Sequence, residues 1–295
     1  MPPVAVVPSS LRLGVFRGSV AVARGLLTPD QLRGPAWRRL FSDVYVHVDR
    51  PVSHLLLARV AAAMVVPGSV VTGRSAAVLW GVDMATTDDE VELTVPPDRF
   101  PRRVRGIRVR RSALPVEQVG RRHEVPVTSP AATAVRLAAA LDLDDGVVAV
   151  DRLVAARLAA LEEVRRLAEA ARGPGSARAR RVCALADGLA GSPQETRLRL
   201  LVARSSLPPP VAQFTVRDER GFVARVDFAW PGHRVALEYD GLWHAEPGQF
   251  AHDRRRLNRL HAAGWRVFFV TAADLHDPER LIVRLAAFLS AAGVR

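Results

Sequence analysis

The sequence predicts an α/β chain: a mixed sheet flanked by helices towards the C-terminus, preceded by an α+β region. Three observations predict this. Residues 222–241 form two runs of alternating apolar and polar side chains around Pro231-Gly232, which marks a β-hairpin. Asp253, Leu257 and Leu260 lie on one helical stripe, which Gly264 ends, and the apolar run from Trp265 to Val270 then reads as a buried strand. Residues 129–172, rich in Ala and Leu and opened by Ser129-Pro130, read as helices.

From the start of the chain, residues 17–33 suggest two short helices. The second opens at Thr28-Pro29-Asp30-Gln31, a capping box with proline at its first helical position. Trp37–Phe41 and Val44–Val48 read as strands around a turn at Ser42-Asp43. Helix, helix and strand pair over residues 1–50 resemble part of a winged helix. Such a reader sends its second helix into the major groove, yet between Leu32 and Trp37 there is little room for one beyond Gly34-Pro35. Either the Thr28–Arg33 helix is the reader or base reading has been lost. Arg33, Arg38 and Arg39 are candidates for phosphate contact, with ordinary surface arginines as the alternative.

A helix from Ser53 to Val65, another from Gly73 to Trp80 and a strand at Val91–Val95 follow. Residues 102–111 then form a dense arginine strand with a half-apolar face and a basic face. It reads as an exposed edge or as a phosphate-tracking surface. Within the 129–172 helices, Glu162 and Arg166 are spaced for an ion pair. Residues 51–172 make a second region, similar to the AbiEi-type antitoxins of bacterial type IV toxin–antitoxin systems. Gly173-Pro174-Gly175-Ser176 and a helix over 177–186 make a linker, residues 173–191, before a last domain at 192–295.

The last domain carries the candidate chemistry. With a two-residue turn, Asp227 falls opposite Ala236 and diagonal to Glu238, roughly 7–8 Å away. Asp240 shares the face of Glu238, so three carboxylates can converge on one cation, which like charges require. The alternative is the solvated side of an edge hairpin. The downstream blocks are Glu238-Tyr-Asp240-Gly-Leu-Trp-His244, Asp253-Arg254-Arg255-Arg256 and Gly264-Trp265-Arg266-Val267. Together they resemble the very-short-patch-repair endonucleases, and more closely the bacterial family known as domain of unknown function 559. Both are similar to the PD-(D/E)XK superfamily, which has a restriction-endonuclease-like α/β/α fold in the order αβββαβα.

That resemblance implies a metal-dependent endonuclease in defence or DNA repair, with Asp227 and Glu238 as ligands of Mg²⁺ or Mn²⁺. It places Asp240 where the superfamily has lysine, His244 at an active-site histidine and Asp253 at the acid opening the following helix. It likens Glu195 to a helix acid that joins many such sites, although Ser192-Pro193-Gln194-Glu195 also reads as a helix cap. The chain contains no lysine anywhere, and arginine does not deprotonate to act as a base. Hydrolysis would rest on a metal-bound water, with neutral His244 as proton acceptor. Arg254, Arg255 and Arg256 would neutralise phosphates or form a solvated helix face, and Arg256 could pair with Asp253 one turn away. The rival reading is a non-catalytic, antitoxin-like DNA-binding regulator with a degenerate nuclease module. A third is action on RNA.

Composition agrees with a polyanion partner. The formal net charge is +12, and arginine alone supplies the excess. Cys183 is the single cysteine, which excludes an internal disulfide and a cysteine-based zinc cluster. The N-terminus shows no secretion signal, Pro2, Pro3 and Pro8 suggest a frayed start, and the apolar run near Ala61–Val71 is broken by Pro67-Gly68. These features predict a cytoplasmic bacterial protein that binds DNA, with a toxin or other defence protein as a second partner and no membrane contact.

Overall fold

The computed structural model describes residues 8–241 and 249–291. Internal contacts divide the chain into two units, residues 1–140 with 158–180 and residues 141–157 with 181–295.

The first unit begins with α1 (Ser9–Arg12), β1 (Val15–Arg17), α2 (Gly18–Ala23), α3 (Pro29–Arg33), β2 (Trp37–Phe41) and β3 (Val44–His47). The strands form an antiparallel sheet in the order β1-β3-β2. The predicted capping box is present: Thr28 Oγ1 accepts from Gln31 N while Gln31 Oε1 accepts from Thr28 N. Asp43 turns β2 into β3 at φ 59°, and its carboxylate accepts from Ser19 N and Oγ, tying α2 to the hairpin. Leu11, Ala21, Leu27 and Trp37 form a small core beneath. Strand β1 was not predicted, because three residues carry no legible alternation.

Next come α4 (His54–Val60), which runs into a π-helical turn at Ala61–Val65, then β4 (Val70–Val71), α5 (Gly73–Leu79), β5 (Val91–Val95), β6 (Ile107–Arg111), β7 (Val119–Arg122), β8 (Val125–Thr128) and α6 (Pro130–Ala140). Their five-stranded sheet runs β6-β5-β4-β8-β7, with β5–β6 and β4–β8 parallel. β6 is an edge, as its arginines predict, but it starts at Ile107 rather than residue 102. Gly106 takes φ +81° and Ile107 N donates to Val104 O at 3.2 Å, so residues 104–107 form a turn. Helix α7 (Leu143–Ala155) belongs to the second unit, α8 (Leu161–Ala170) to the first, and α9 (Ser176–Leu185) spans the division. On α8, Glu162 pairs with Arg165 at 3.4 Å rather than with Arg166, the three-residue spacing serving as well as four.

The second unit continues with α10 (Pro193–Ala203), β9 (Val211–Asp218), β10 (Gly221–Trp230), β11 (Val235–Tyr239), α11 (Gln249–Ala262), β12 (Arg266–Val270), α12 (Ala272–Leu275) and α13 (Pro278–Ser290). The sheet order is β12-β11-β10-β9, antiparallel except for β11–β12. This is the predicted mixed sheet, with a helix, three strands, a helix, a strand and closing helices. Alternation sorts its side chains. Phe228, Trp230 and Leu237 pack with Leu198, Val202, Leu281 and Leu285, whereas Ala229 and Ala236 pack with Leu260 and Trp265. Asp227 and Glu238 follow the parity of Ala229 and Ala236, towards α11. Buried Asp151 joins α7 to α10, accepting from Asp187 N, Gly188 N, Thr196 Oγ1 and Arg199 Nη2 at 2.8–3.0 Å.

Candidate functional site

The hairpin that positions the acids differs from the two-residue turn predicted. Pro231–His233 form a 3-10 turn and Arg234 closes it in the left-handed region at φ 49°. Two extra residues in the turn shift the register, pairing Phe228 with Leu237, Ala229 with Ala236 and Trp230 with Val235. One step further, Asp227 is level with Glu238 rather than diagonal to it. The bond from Tyr239 N to Asp227 Oδ2, 2.9 Å, fixes the aspartate carboxylate against β11.

The two acids meet a guanidinium. Arg256 on α11 grips Glu238 through both terminal nitrogens, Nη1 to Oε2 at 2.8 Å and Nη2 to Oε1, and also donates to Arg225 O at 2.9 Å. This is a fork-to-fork pair with a residue only 8% exposed. The expected partner of Arg256, Asp253, is exposed; its charge is felt by both members of the pair, but the glutamate takes the hydrogen bonds. The reason is geometric: Arg256 lies on the turn of α11 that faces the sheet, whereas Asp253 does not reach the buried side.

Burial pushes the Asp227 carboxyl above its ordinary value, the Tyr239 N–H pulls it back, and the charge of Glu195 raises it again. Burial likewise raises Glu238, with Arg256 opposing and Asp227 adding to the rise. Arg256 is itself raised, first by its bonds to Glu238. Glu195 completes the acidic cluster from α10. Ser192 Oγ caps α10 by accepting from Glu195 N, but the Glu195 carboxylate does not return the bond to Ser192. It accepts from Gly191 N at 2.7 Å and from Gln213 Nε2 at 3.3 Å. The reciprocal half of the predicted cap is therefore directed one residue earlier.

Gln213 is a site residue that sequence reasoning missed. It lies on β9 between the pairs Val226–Phe214 and Phe228–Ala212, beside Asp227, and takes φ 50°. A left-handed non-glycine residue within a strand stores about 1–3 kcal/mol, and such strain gathers at functional positions. No sequence signal marks it, since a glutamine in a strand is unexceptional.

The other predicted site residues fall as follows. Asp240 is exposed, and its backbone N–H donates to Val270 O. His244 lies outside the described residues, as do Pro2 and Pro3. Arg254 and Arg255 are exposed on α11, away from the Glu238 contact. Arg38 and Arg39 are exposed on β2. Among the described residues no group of three or more His, Cys, Asp and Glu side chains is arranged to hold a metal ion. Arg256 bonds both oxygens of Glu238 and the Tyr239 N–H one oxygen of Asp227, so a divalent cation between the two acids would have to displace Arg256 from Glu238. Among the described residues no helix is long and apolar enough to cross a membrane.

Comparison with known proteins adds family information for the middle of the chain. Residues 69–187 match the AbiEi antitoxin C-terminal domain. Two uncharacterized Mycobacterium tuberculosis proteins, MT2308 of strain CDC 1551 / Oshkosh and Rv2248 of strain H37Rv, are each 34% identical over 168 residues. The match covers 56% of this chain and 62% of each relative, so the chain spans about three-fifths of their length. The crystal structure of the RV2827C protein from Mycobacterium tuberculosis aligns over 69% of this chain and 83% of that one, with a TM-score of 0.41 and 19% identity. The chain thus contains an AbiEi antitoxin-like segment at residues 69–187, between the helix–hairpin start and the sheet that carries the acids.

Proposed function

We propose that this protein is an antitoxin-like, DNA-binding regulator whose C-terminal module resembles a nuclease but holds its acid pair closed. The observation that carries the reading is the arrangement of residues 9–47. Helix α2, helix α3 and the β2–β3 hairpin follow one another as in a winged helix, with Arg33 on α3 and Arg38 and Arg39 on the hairpin all exposed. The AbiEi antitoxin match at residues 69–187 supports the same reading and suggests a toxin protein as a further partner. The charge of +12 would supply the sequence-independent part of DNA affinity. In the second unit, the Arg256 clamp neutralises Glu238 internally. Exposed Arg254 and Arg255 on α11 would add backbone contacts.

The test is fluorescence anisotropy with duplex DNA, for the wild type and for Arg38→Ala with Arg39→Ala. Binding that weakens with salt and falls at least about tenfold in the variant supports the reading. No binding by the wild type at about 50 mM salt would overturn it.

One observation favours a second reading, a metal-dependent endonuclease of the restriction-endonuclease-like class. Asp227 and Glu238 are level on adjoining strands, and burial raises both carboxyls, as in sites that hold a cation. Asp227 and Glu238 would hold Mg²⁺ or Mn²⁺ only after Arg256 had left Glu238. Incubation with supercoiled plasmid decides between the two. Nicking that needs Mg²⁺ or Mn²⁺ and disappears in both Asp227→Ala and Glu238→Ala establishes the enzyme; DNA binding without nicking retains the regulator.

A further inference from the structure

We infer that the arginine-rich segment at residues 102–106 and the wing strand β2 form a second phosphate-binding groove, which carries the DNA backbone past the winged-helix-like start. The inference rests on the DNA-binding reading above and extends it to a surface outside the helix pair.

A cavity of about 710 Å³ lies between these elements within the first unit, lined on one side by Arg39 and Phe41 and on the other by Arg102, Arg103 and Arg105. All four arginines are exposed. They share the cavity with Asp88 and Asp89, so positive charge is in excess. Asp89 is already engaged: its carboxylate accepts from Thr86 N at 2.8 Å and Thr86 Oγ1 at 3.1 Å, and stands 4.0 Å from Arg74. It therefore offers little to the arginines opposite.

The turn is also held in place. Ile107 N donates to Val104 O, Val91 N donates to Gly106 O at 2.9 Å, and a Cβ on Gly106 would sit 3.7 Å from the Phe41 ring. The turn at residues 104–107 is thus fixed against strand β5 and presents the Arg105 guanidinium with little ordering cost on binding. Phe100 lies just before this turn in sequence. It is 76% exposed, and the Arg111 guanidinium stacks 4.3 Å from its ring centroid. Four exposed arginines against two aspartates, one of them already bonded, suit the evenly spaced charges of a DNA backbone.

The experiment measures anisotropy of a labelled duplex of roughly 30 base pairs from about 50 to 200 mM salt. It compares wild type, the triple variant Arg102→Ala, Arg103→Ala and Arg105→Ala, and the triple Gln variant of the same residues. Three lost phosphate contacts lower the slope of log affinity against log salt by up to about 2.7. That corresponds to a ~40-fold smaller loss of affinity over this salt range. The Gln variant keeps side-chain bulk, so an equal change in both variants assigns the effect to charge. Unchanged slope and affinity in both variants, with the wild type still binding, overturns the groove and leaves the DNA-binding reading standing. Absence of wild-type binding overturns both.

Discussion

Replacing Arg256 with alanine isolates the contact that closes the acid pair. In the wild type the guanidinium satisfies both oxygens of Glu238, whose side chain is 10% exposed against 27% for the arginine. Removing it leaves a carboxylate facing Asp227 with no cation bonded to it. Breaking a buried ion pair costs roughly 3–5 kcal/mol; partial exposure of the arginine brings this down to about 2–3 kcal/mol. For a unit of this size that corresponds to ~5–10 °C in Tm. The loss should depend on pH. Glu238 is raised above its ordinary 4.5 even with Arg256 present, so its contribution favours the folded state in acid and is lost as pH rises through the raised value. Without Arg256 the folded value rises further, so the variant keeps losing stability over a pH range where the wild type has levelled off. Wild type and Arg256→Ala should therefore nearly coincide in acid, where Glu238 is protonated in both, and separate as pH rises through the raised values. Urea unfolding at several pH values, with hydrogen exchange reporting on β10 and β11, reads this directly. Adding Glu238→Gln to Arg256→Ala should restore much of the neutral-pH stability. A deficit equal at every pH, or below about 1 kcal/mol, would refute the reasoning.

Four further outcomes follow from the same geometry. Asp151→Ala removes the acceptor of four hydrogen bonds between α7, the turn at 187–188 and α10, and should cost about 3–5 kcal/mol by chemical denaturation. Gly188→Ala should cost ~2 kcal/mol or more in Tm measurements, because φ is +66° and the new Cβ would lie 2.2 Å from a Val154 methyl. At Gln213 both truncations lose the Glu195 contact, but glycine alone relieves the φ of 50°, so Gln213→Gly should be about 1 kcal/mol more stable than Gln213→Ala. Leu260→Ala, emptying a fully buried position between α11 and the sheet, should lower unfolding free energy by about 2–5 kcal/mol, with m unchanged.

Much of the fold was legible because its signals are local. The Thr28 and Ser192 caps, the Ser53 start of α4, the Gly264 stop of α11 and the apolar run of β12 each depend on a few adjacent residues. What was not legible depends on chain geometry at a distance. β1 is too short to show alternation, and it exists because it pairs with β3. The sequence places the start of β6 five residues early, because its arginines continue through the turn that Gly106 makes. Pro231-Gly232 announced a turn, but nothing local revealed that His233 and Arg234 would extend it.

That turn also decides how the acids are read. A two-residue turn would have left Asp227 and Glu238 diagonal, with room between them and a stretch of β11 backbone bare. The longer turn makes them level, brings Tyr239 N onto Asp227 and leaves Glu238 beneath α11. Arg256, one helical turn after Asp253 and on the same side of α11, has the longer side chain and reaches Glu238, while Asp253 stays exposed and acts on the pair through its charge alone. Identical acids at identical sequence positions could thus be an open cation site or a closed ion pair, depending on one α11 side chain. The arginine run that looks from sequence like a phosphate clamp divides the same way: Arg254 and Arg255 are exposed, and Arg256 turns inward to hold both oxygens of Glu238.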